Sequence, residues 1–389
     1  MKAKRLLLSL MLMFAISSYG QSGQDGSISW SITDSTLTLT GTSIMDDYNF
    51  NYKPSWNPYR EQIKGVVIEN GITNIGDYAF YACSLTSIEI PNSVTHIGSR
   101  AFYECNSLTS IEIPNSVTSI GNGAFAGCTS LTGMEIPNSV TSIGHDAFFG
   151  CYRLKSIVLS NHITSIGDLA FIYCTSLTSI VLPNSVTSIG HDAFYECSSL
   201  TSIEIPISVT NIGNNAFAGC RSLTSIVLPN GVTNIENNVF FSCGSLTSIE
   251  IPNSVTSIEH SAFEGCSSLT SIEIPGVTII GNNAFFGCSN LTNIDISGVI
   301  RVGNSAFAEC ISLTSIEIPN RVTNIGNEAF RDCTNLSTVD VSWETPILLS
   351  ESVFYNTPVS KAILIVPANT KALYEAADGW KDFGVIVNK

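Results

Sequence analysis

The twelve cysteines of the chain stand at Cys83, Cys105, Cys128, Cys151, Cys174, Cys197, Cys220, Cys243, Cys266, Cys288, Cys310 and Cys333, so successive ones are 22 or 23 residues apart. A fixed internal period of this length marks one supersecondary unit copied along the chain. Such a unit cannot bury its own apolar edge, so it folds only by stacking on its neighbours. The prior of two or three independent domains for 389 residues therefore gives way to one elongated array.

The unit is clearest from Leu108 to Gly121, LTSIEIPNSVTSIG, followed by a segment of type xxAFxxC. Leu108, Ile111 and Ile113 alternate with polar residues, the period of a strand with one buried face. Pro114 cannot donate to a ladder and ends that strand. Val117 and Ile120 mark a second short extended segment. The residue after the following glycine is Asp77, Ser99, Asn122, His145, Asp168 or His191 in the first six copies and runs on to Asn327. Asp, Asn and Ser cap helices, so a short helix, in part 3₁₀, is expected next, with Phe125 and Cys128 on its inner side at i and i+3. Strands pair in parallel at about 4.8 Å, whereas a helix is about 10 Å wide. The stack should therefore curve with its strands on the concave side. The fold class expected is an α/β solenoid, a right-handed superhelix of about thirteen coils.

Around this array the ends read differently. Lys2, Lys4 and Arg5 precede an apolar run from Leu6 to Ile16, the layout of an export signal and too short to span a bilayer. Small residues at Ser18 and Gly20 put cleavage before Gln21, so residues 1–20 are expected to be removed. Residues 21–62 should form a β-hairpin cap, in which Ile28, Trp30 and Ile32 face inward, Asp34-Ser35 turn, and Leu37 and Leu39 continue the apolar face. Repeats of 22–23 residues fill 63–354. Residues 355–389 should close the other end with a strand from Ala362 to Val366 and a helix from about Thr370 to Ala377, capped by Asn369 and sealed by Trp380 and Phe383. Terminal units must be atypical because an open stack exposes core and unpaired strand edges.

The motif LTSIEIPNSVTSIGxxAFxxC resembles the leucine-rich repeats of the BspA-like family of bacterial surface proteins, over about Ile63 to Phe354. The resemblance implies the solenoid fold and a secreted or cell-surface location. It also implies an adhesin-like binding role, since members of the family include adhesins. It brings no catalytic motif and no functional residue.

Charge and motifs narrow the chemistry. The chain carries 17 Lys+Arg against 32 Asp+Glu, a net charge of -15. It has no basic block to hold a phosphate backbone, which argues against nucleic acid as partner. One inner-face cysteine per coil gives a ladder of free, buried thiols; the paired spacing of a zinc site is absent. His145-Asp146 and His191-Asp192 look like metal-binding HD dipeptides, but both come from one repeat column that fits capping as well. No nucleophile elbow, zincin or phosphate-loop motif is present, so neither catalysis nor a cofactor is expected.

The best lead for function is the outward position in the middle of each strand: Val67, Glu89, Glu112, Glu135, Val158, Val181, Glu204, Val227, Glu250, Glu273, Asp295, Glu317 and Asp340. Two acidic blocks flank a stretch rich in valine. The nine carboxylates are the expected binding residues for a basic or mixed extracellular protein; a solvated face kept acidic for solubility is the alternative. A second column, Tyr81, Tyr103, Phe149, Tyr195, Phe241 and Phe286, interrupted by Ala126 and Ala218, offers rings for a glycan or filler between coils.

Overall fold

The computed structural model describes residues 20–389; the expected signal segment, up to residue 19, lies outside them. The chain forms a parallel β-solenoid that winds from an antiparallel meander at one end to a strand-and-helix closure at the other. Most coils present two short strands; the coil that carries Glu112 lacks the first. The first, such as Ser202–Glu204, pairs in parallel with its copies in adjacent coils, Ile180 against Ile203 for instance. The second, often only two residues such as Ser188–Ile189, does the same on another side, Ile189 against Ile212. The leucine, isoleucine, valine, Ala-Phe and cysteine columns of the repeat point inward and form one continuous core.

The helices expected on the third side are absent. The xxAFxxC segment is instead a run of tight turns that hydrogen-bonds to the next coil. Phe80 N–H donates to the Ala101 carbonyl at 2.8 Å, and Ala82 N–H to Tyr103 at 2.8 Å, while Tyr81 and Cys83 close i→i−3 turns on Tyr78 and Phe80. The physical reason is a left-handed backbone at two positions per coil, four apart. Tyr78 and Ala82 have φ of 53° and 52°, and Leu169 and Tyr173 have 59° and 60°. A left-handed residue interrupts the i→i−4 ladder of an α-helix. The curvature expected from wide helices thus loses its cause.

The capping column also finds a different partner. Asn122 Oδ1 accepts the N–H of His145 at 3.0 Å, Asp168 Oδ1 that of His191 at 2.7 Å, and Asn304 Oδ1 that of Asn327 at 2.8 Å. These side chains cap the next coil rather than a helix of their own. His145 Nδ1 takes the same role towards Asp168 N–H at 3.1 Å, and His191 Nδ1 towards Asn214 N–H at 2.9 Å.

Down the centre run two ladders. Thirteen phenylalanines, Phe80, Phe102, Phe125, Phe148, Phe171, Phe194, Phe217, Phe240, Phe263, Phe285, Phe307, Phe330 and Phe354, stack with neighbouring centroids 5.3–5.9 Å apart. All twelve cysteines are free and buried. From Cys105 to Cys333 each thiol donates to the carbonyl of the phenylalanine in the preceding coil, at 3.1–3.3 Å. In the last rung Thr357 replaces cysteine and its hydroxyl donates to Phe330 in the same way.

At the N-terminal end, β1 (Gln21–Asp25), β2 (Ile28–Thr33) and β3 (Thr36–Thr40) form the antiparallel meander, and β3 pairs in parallel with β4 (Gly65–Ile68) of the first coil. The β2–β3 turn has positive φ at both Asp34 and Ser35, the primed geometry whose twist suits a two-residue hairpin. Strand β1 adds a third strand to the hairpin read from sequence. Trp56 closes the core with no solvent exposure. At the other end, strand Ile363–Val366 is followed by α1 (Lys371–Ala376) and by a further strand, Val385–Asn388, which sequence reasoning missed. Thr370, not Asn369, precedes α1, and its side chain makes no cap bond to it; Asn369 holds a left-handed turn with φ 63°. Trp380 and Phe383 are buried against Phe354.

Candidate functional site

The first strands pack only one face on the core, so alternation sends every second residue to water. The burial pattern of Ser248–Glu250 is exposed, buried, exposed, and other first strands repeat it. Glu89, Glu112, Glu135, Glu204, Glu250, Glu273, Asp295 and Glu317 all stand exposed on this face, and Asp340 is half-buried. The strand register sets residues of this column side by side: Val67 lies beside Glu89, Glu135 beside Val158, Val181 beside Glu204, Val227 beside Glu250, and Glu317 beside Asp340.

Two of the nine carboxylates have partners within the protein. Asp340 pairs with Lys389 at 2.7 Å, and Asp295 Oδ1 accepts the N–H of Ser297 at 2.8 Å. Among the described residues none of the other seven makes a salt bridge. Neighbouring carboxylates at strand spacing repel by about 1 kcal/mol per pair in bulk water. Two runs, Glu89 to Glu135 and Glu250 to Glu317, thus carry carboxylates without a salt-bridge partner among the described residues, and Lys389 neutralises Asp340 at the end of the second. Shallow hollows lie between their rungs, one edged by Glu89, Asn92, Glu112 and Asn115, another by Glu273, Asp295 and Ser297.

Between the runs the face turns apolar. Val158, Val181 and Val227 are 60%, 79% and 54% exposed. Ile207, where most repeats place asparagine, is 90% exposed beside them. Exposed Glu204 interrupts these aliphatic side chains between Val181 and Val227. Ile207 escaped the sequence reading because it lies outside the strand column; its departure from the Pro-Asn-Ser-Val turn was the available signal.

The other sequence candidates resolve differently. His145 and His191 use Nδ1 as capping acceptors, and Asp146 faces Arg100 at 3.8 Å. Among the described residues no three His, Cys, Asp or Glu side chains gather as metal ligands. Burial pushes the Cys151 and Cys243 thiols up to about 12, and the other cysteines are raised for the same reason. A thiol held protonated is a poor nucleophile. In the aromatic column, Tyr81 stacks on Tyr103 at 5.7 Å, while Phe149 and Tyr195 meet Tyr173 edge-on at 6.0 and 5.7 Å. Away from the N-terminal coils these half-buried rings fill the gaps between turns.

The model of the BspA type leucine rich repeat region matches residues 59–177, 164–276 and 256–377, six copies in all. The chain belongs to the BspA-type leucine-rich-repeat family. No curated protein matches it significantly. Among solved structures, this BspA-type chain is similar to a leucine-rich repeat protein from Bacteroides ovatus, at 28% identity and TM-score 0.74 over 94% of this chain and 98% of that one. It is also similar to a leucine rich cell surface protein from Faecalibacterium prausnitzii, at 30% identity and TM-score 0.50 over 92% and 98%. The pneumococcal vaccine antigen PcpA shares the fold at 18% identity and TM-score 0.53, over 95% and 98% of the two chains. Among the described residues no helix is long and apolar enough to cross a membrane.

Proposed function

We propose that this protein is a secreted or cell-surface binding protein, adhesin-like and non-catalytic, that holds an extracellular protein along its first-strand face. The observation that carries this reading is the pattern on that face: two runs of carboxylates, most without a partner in the protein, with exposed valines and Ile207 between them. A complementary partner has an apolar centre and basic flanks. Its apolar groups cover the valines, and its lysines and arginines neutralise the stacked carboxylates, which relieves their mutual repulsion. The surface location draws on the export signal at the N-terminus and on the likeness to a cell surface protein of the same family. The absence of a motif for catalysis and the use of every histidine and cysteine already discussed in packing or capping support a role in binding alone.

The test is a binding array of extracellular matrix proteins probed with residues 21–389 at low and at physiological salt. A basic partner whose affinity falls steeply with salt supports the reading. Hits confined to acidic or uncharged proteins, with no salt dependence, overturn it.

A further inference from the structure

The loop that covers the first coils does more than seal the core. Trp56 and Tyr48 already do that: they are 0% and 3% exposed, and Trp56 meets the first ring of the phenylalanine stack at 6.3 Å. Phe50, in the same loop, covers nothing comparable and is 57% exposed. It stands edge-on to Tyr78 at 5.0 Å and to Tyr81 at 5.5 Å, and Tyr81 stacks on Tyr103 at 5.7 Å with the planes 16° apart. Lys53 lies 6.0 Å over the Tyr81 ring. Arg100 lies 5.7 Å over Tyr78 and donates to its hydroxyl at 3.0 Å. Four aromatic rings from the loop and two successive coils thus meet on one partly open surface, with a cation at either side. In the next coil Ala126 ends the run.

The loop is held in place before any ligand arrives. Tyr48 N–H donates to the Asp77 carbonyl at 2.9 Å, and Asn49 Oδ1 accepts the N–H groups of Asn51 and Tyr52 at 2.9 Å each. A fixed loop lowers the ordering cost of binding. One open ring, Phe50, beside half-buried rings with phenolic hydroxyls and charged groups at their margin suits a ligand that has one apolar face and a polar rim. A pyranose has that shape: its C–H face lies on an aromatic ring while its hydroxyls reach the margin.

We propose that the N-terminal end of the solenoid carries a second binding site, in which Phe50, Tyr78, Tyr81 and Tyr103, edged by Lys53 and Arg100, take an oligosaccharide. Phe50 stands edge-on to Tyr81, and Tyr81 stacks on Tyr103, so the sugar's C–H face lies on Phe50 and its hydroxyls reach the tyrosines beside it. Phe50 supplies the open face, the phenols of Tyr81 and Tyr103 exchange hydrogen bonds with hydroxyls, and Lys53 and Arg100 donate to ring or carboxylate oxygens. This site lies apart from the acidic face and stands or falls without it.

The experiment is calorimetric titration of residues 21–389 with hexasaccharides of glucose, mannose, N-acetylglucosamine and galacturonic acid, and with a decaproline peptide. Wild type, Phe50→Ala and a Glu250/Glu273/Glu317→Lys variant run in parallel. Phe50 is exposed, so its removal leaves the fold intact, which circular dichroism verifies. We expect at least one hexasaccharide to bind wild type and the lysine variant alike and to bind Phe50→Ala about ten-fold more weakly, about 1.4 kcal/mol. Preference for galacturonate over the neutral sugars assigns Lys53 and Arg100 to its carboxylates. No saccharide binding, or saccharide binding unchanged by Phe50→Ala, overturns the proposal. Binding of decaproline alone, lost in Phe50→Ala, overturns it in favour of a proline-rich polypeptide. Loss of binding in the lysine variant alone would return the sugar to the strand face.

Discussion

At the scale of the residue, the repeat works because each column has one inter-coil partner. The cysteine column was legible from spacing alone: one residue per coil on the inner face gives a ladder of single thiols, and all twelve are free. The hydrogen bond from each thiol to the preceding phenylalanine carbonyl was not legible, because its acceptor is backbone 25 or 26 residues away. With burial pushing Cys151, Cys243 and Cys333 up to about 12, the native thiols stay protonated at neutral and mildly alkaline pH. Thiol titration at pH 8 should therefore find none in the native protein and twelve after denaturation without reductant. The capping column makes a second prediction. Asparagine does at Asn122 what histidine does at His145. His145→Asn should leave stability unchanged, and His145→Ala should cost about 1 kcal/mol through the orphaned Asp168 N–H. Urea denaturation of the two variants measures both.

At the scale of the element, most strands were read correctly from alternation, although residues 108–113 form none, and the third side was not. Ala-Phe-x-x-Cys with a capping residue before it fits a helical turn and a run of tight turns equally well. The deciding signal is glycine at the left-handed positions, as at Gly127 and Gly219, each with φ 74°, scattered among asparagines and other residues that hide the column. The small helix content has a direct spectroscopic consequence. Far-ultraviolet circular dichroism of residues 21–389 should show strand and turn bands with the weak helical signal of the six residues of α1, the one α-helix among the described residues. The phenylalanine stack is the element that joins the coils. Phe194→Ala, with no exposure to lose and neighbours on both sides, should cost about 3–5 kcal/mol. In a solenoid each coil touches only its neighbours. Hydrogen exchange should therefore rise first in the coils flanking residue 194 and leave the distant caps unchanged.

At the scale of the whole molecule, the ends and the outward face decide what the solenoid can do. Both caps were expected on the general ground that an open stack is unstable, and their aromatic plugs Trp56 and Trp380 were legible as unrepeated bulky residues. Strands Gln21–Asp25 and Val385–Asn388 were not, since a short polar run and a terminal Val-Ile-Val carry little periodicity. The acidic column was readable to the residue, because strand alternation fixes which side chains face out. What the structure adds is its setting: most of its carboxylates lack internal partners, and its gap is filled by open aliphatic side chains. That contrast is the ground on which we propose the face as a binding surface for a basic partner. The most direct test compares the salt dependence of partner binding for wild type and for Glu250/Glu273/Glu317→Lys, whose exposed positions leave the fold intact. The account predicts that the variant loses at least ten-fold in affinity at low salt and that its dependence on salt flattens or reverses. Equal affinity and an unchanged salt slope in the two proteins would contradict it.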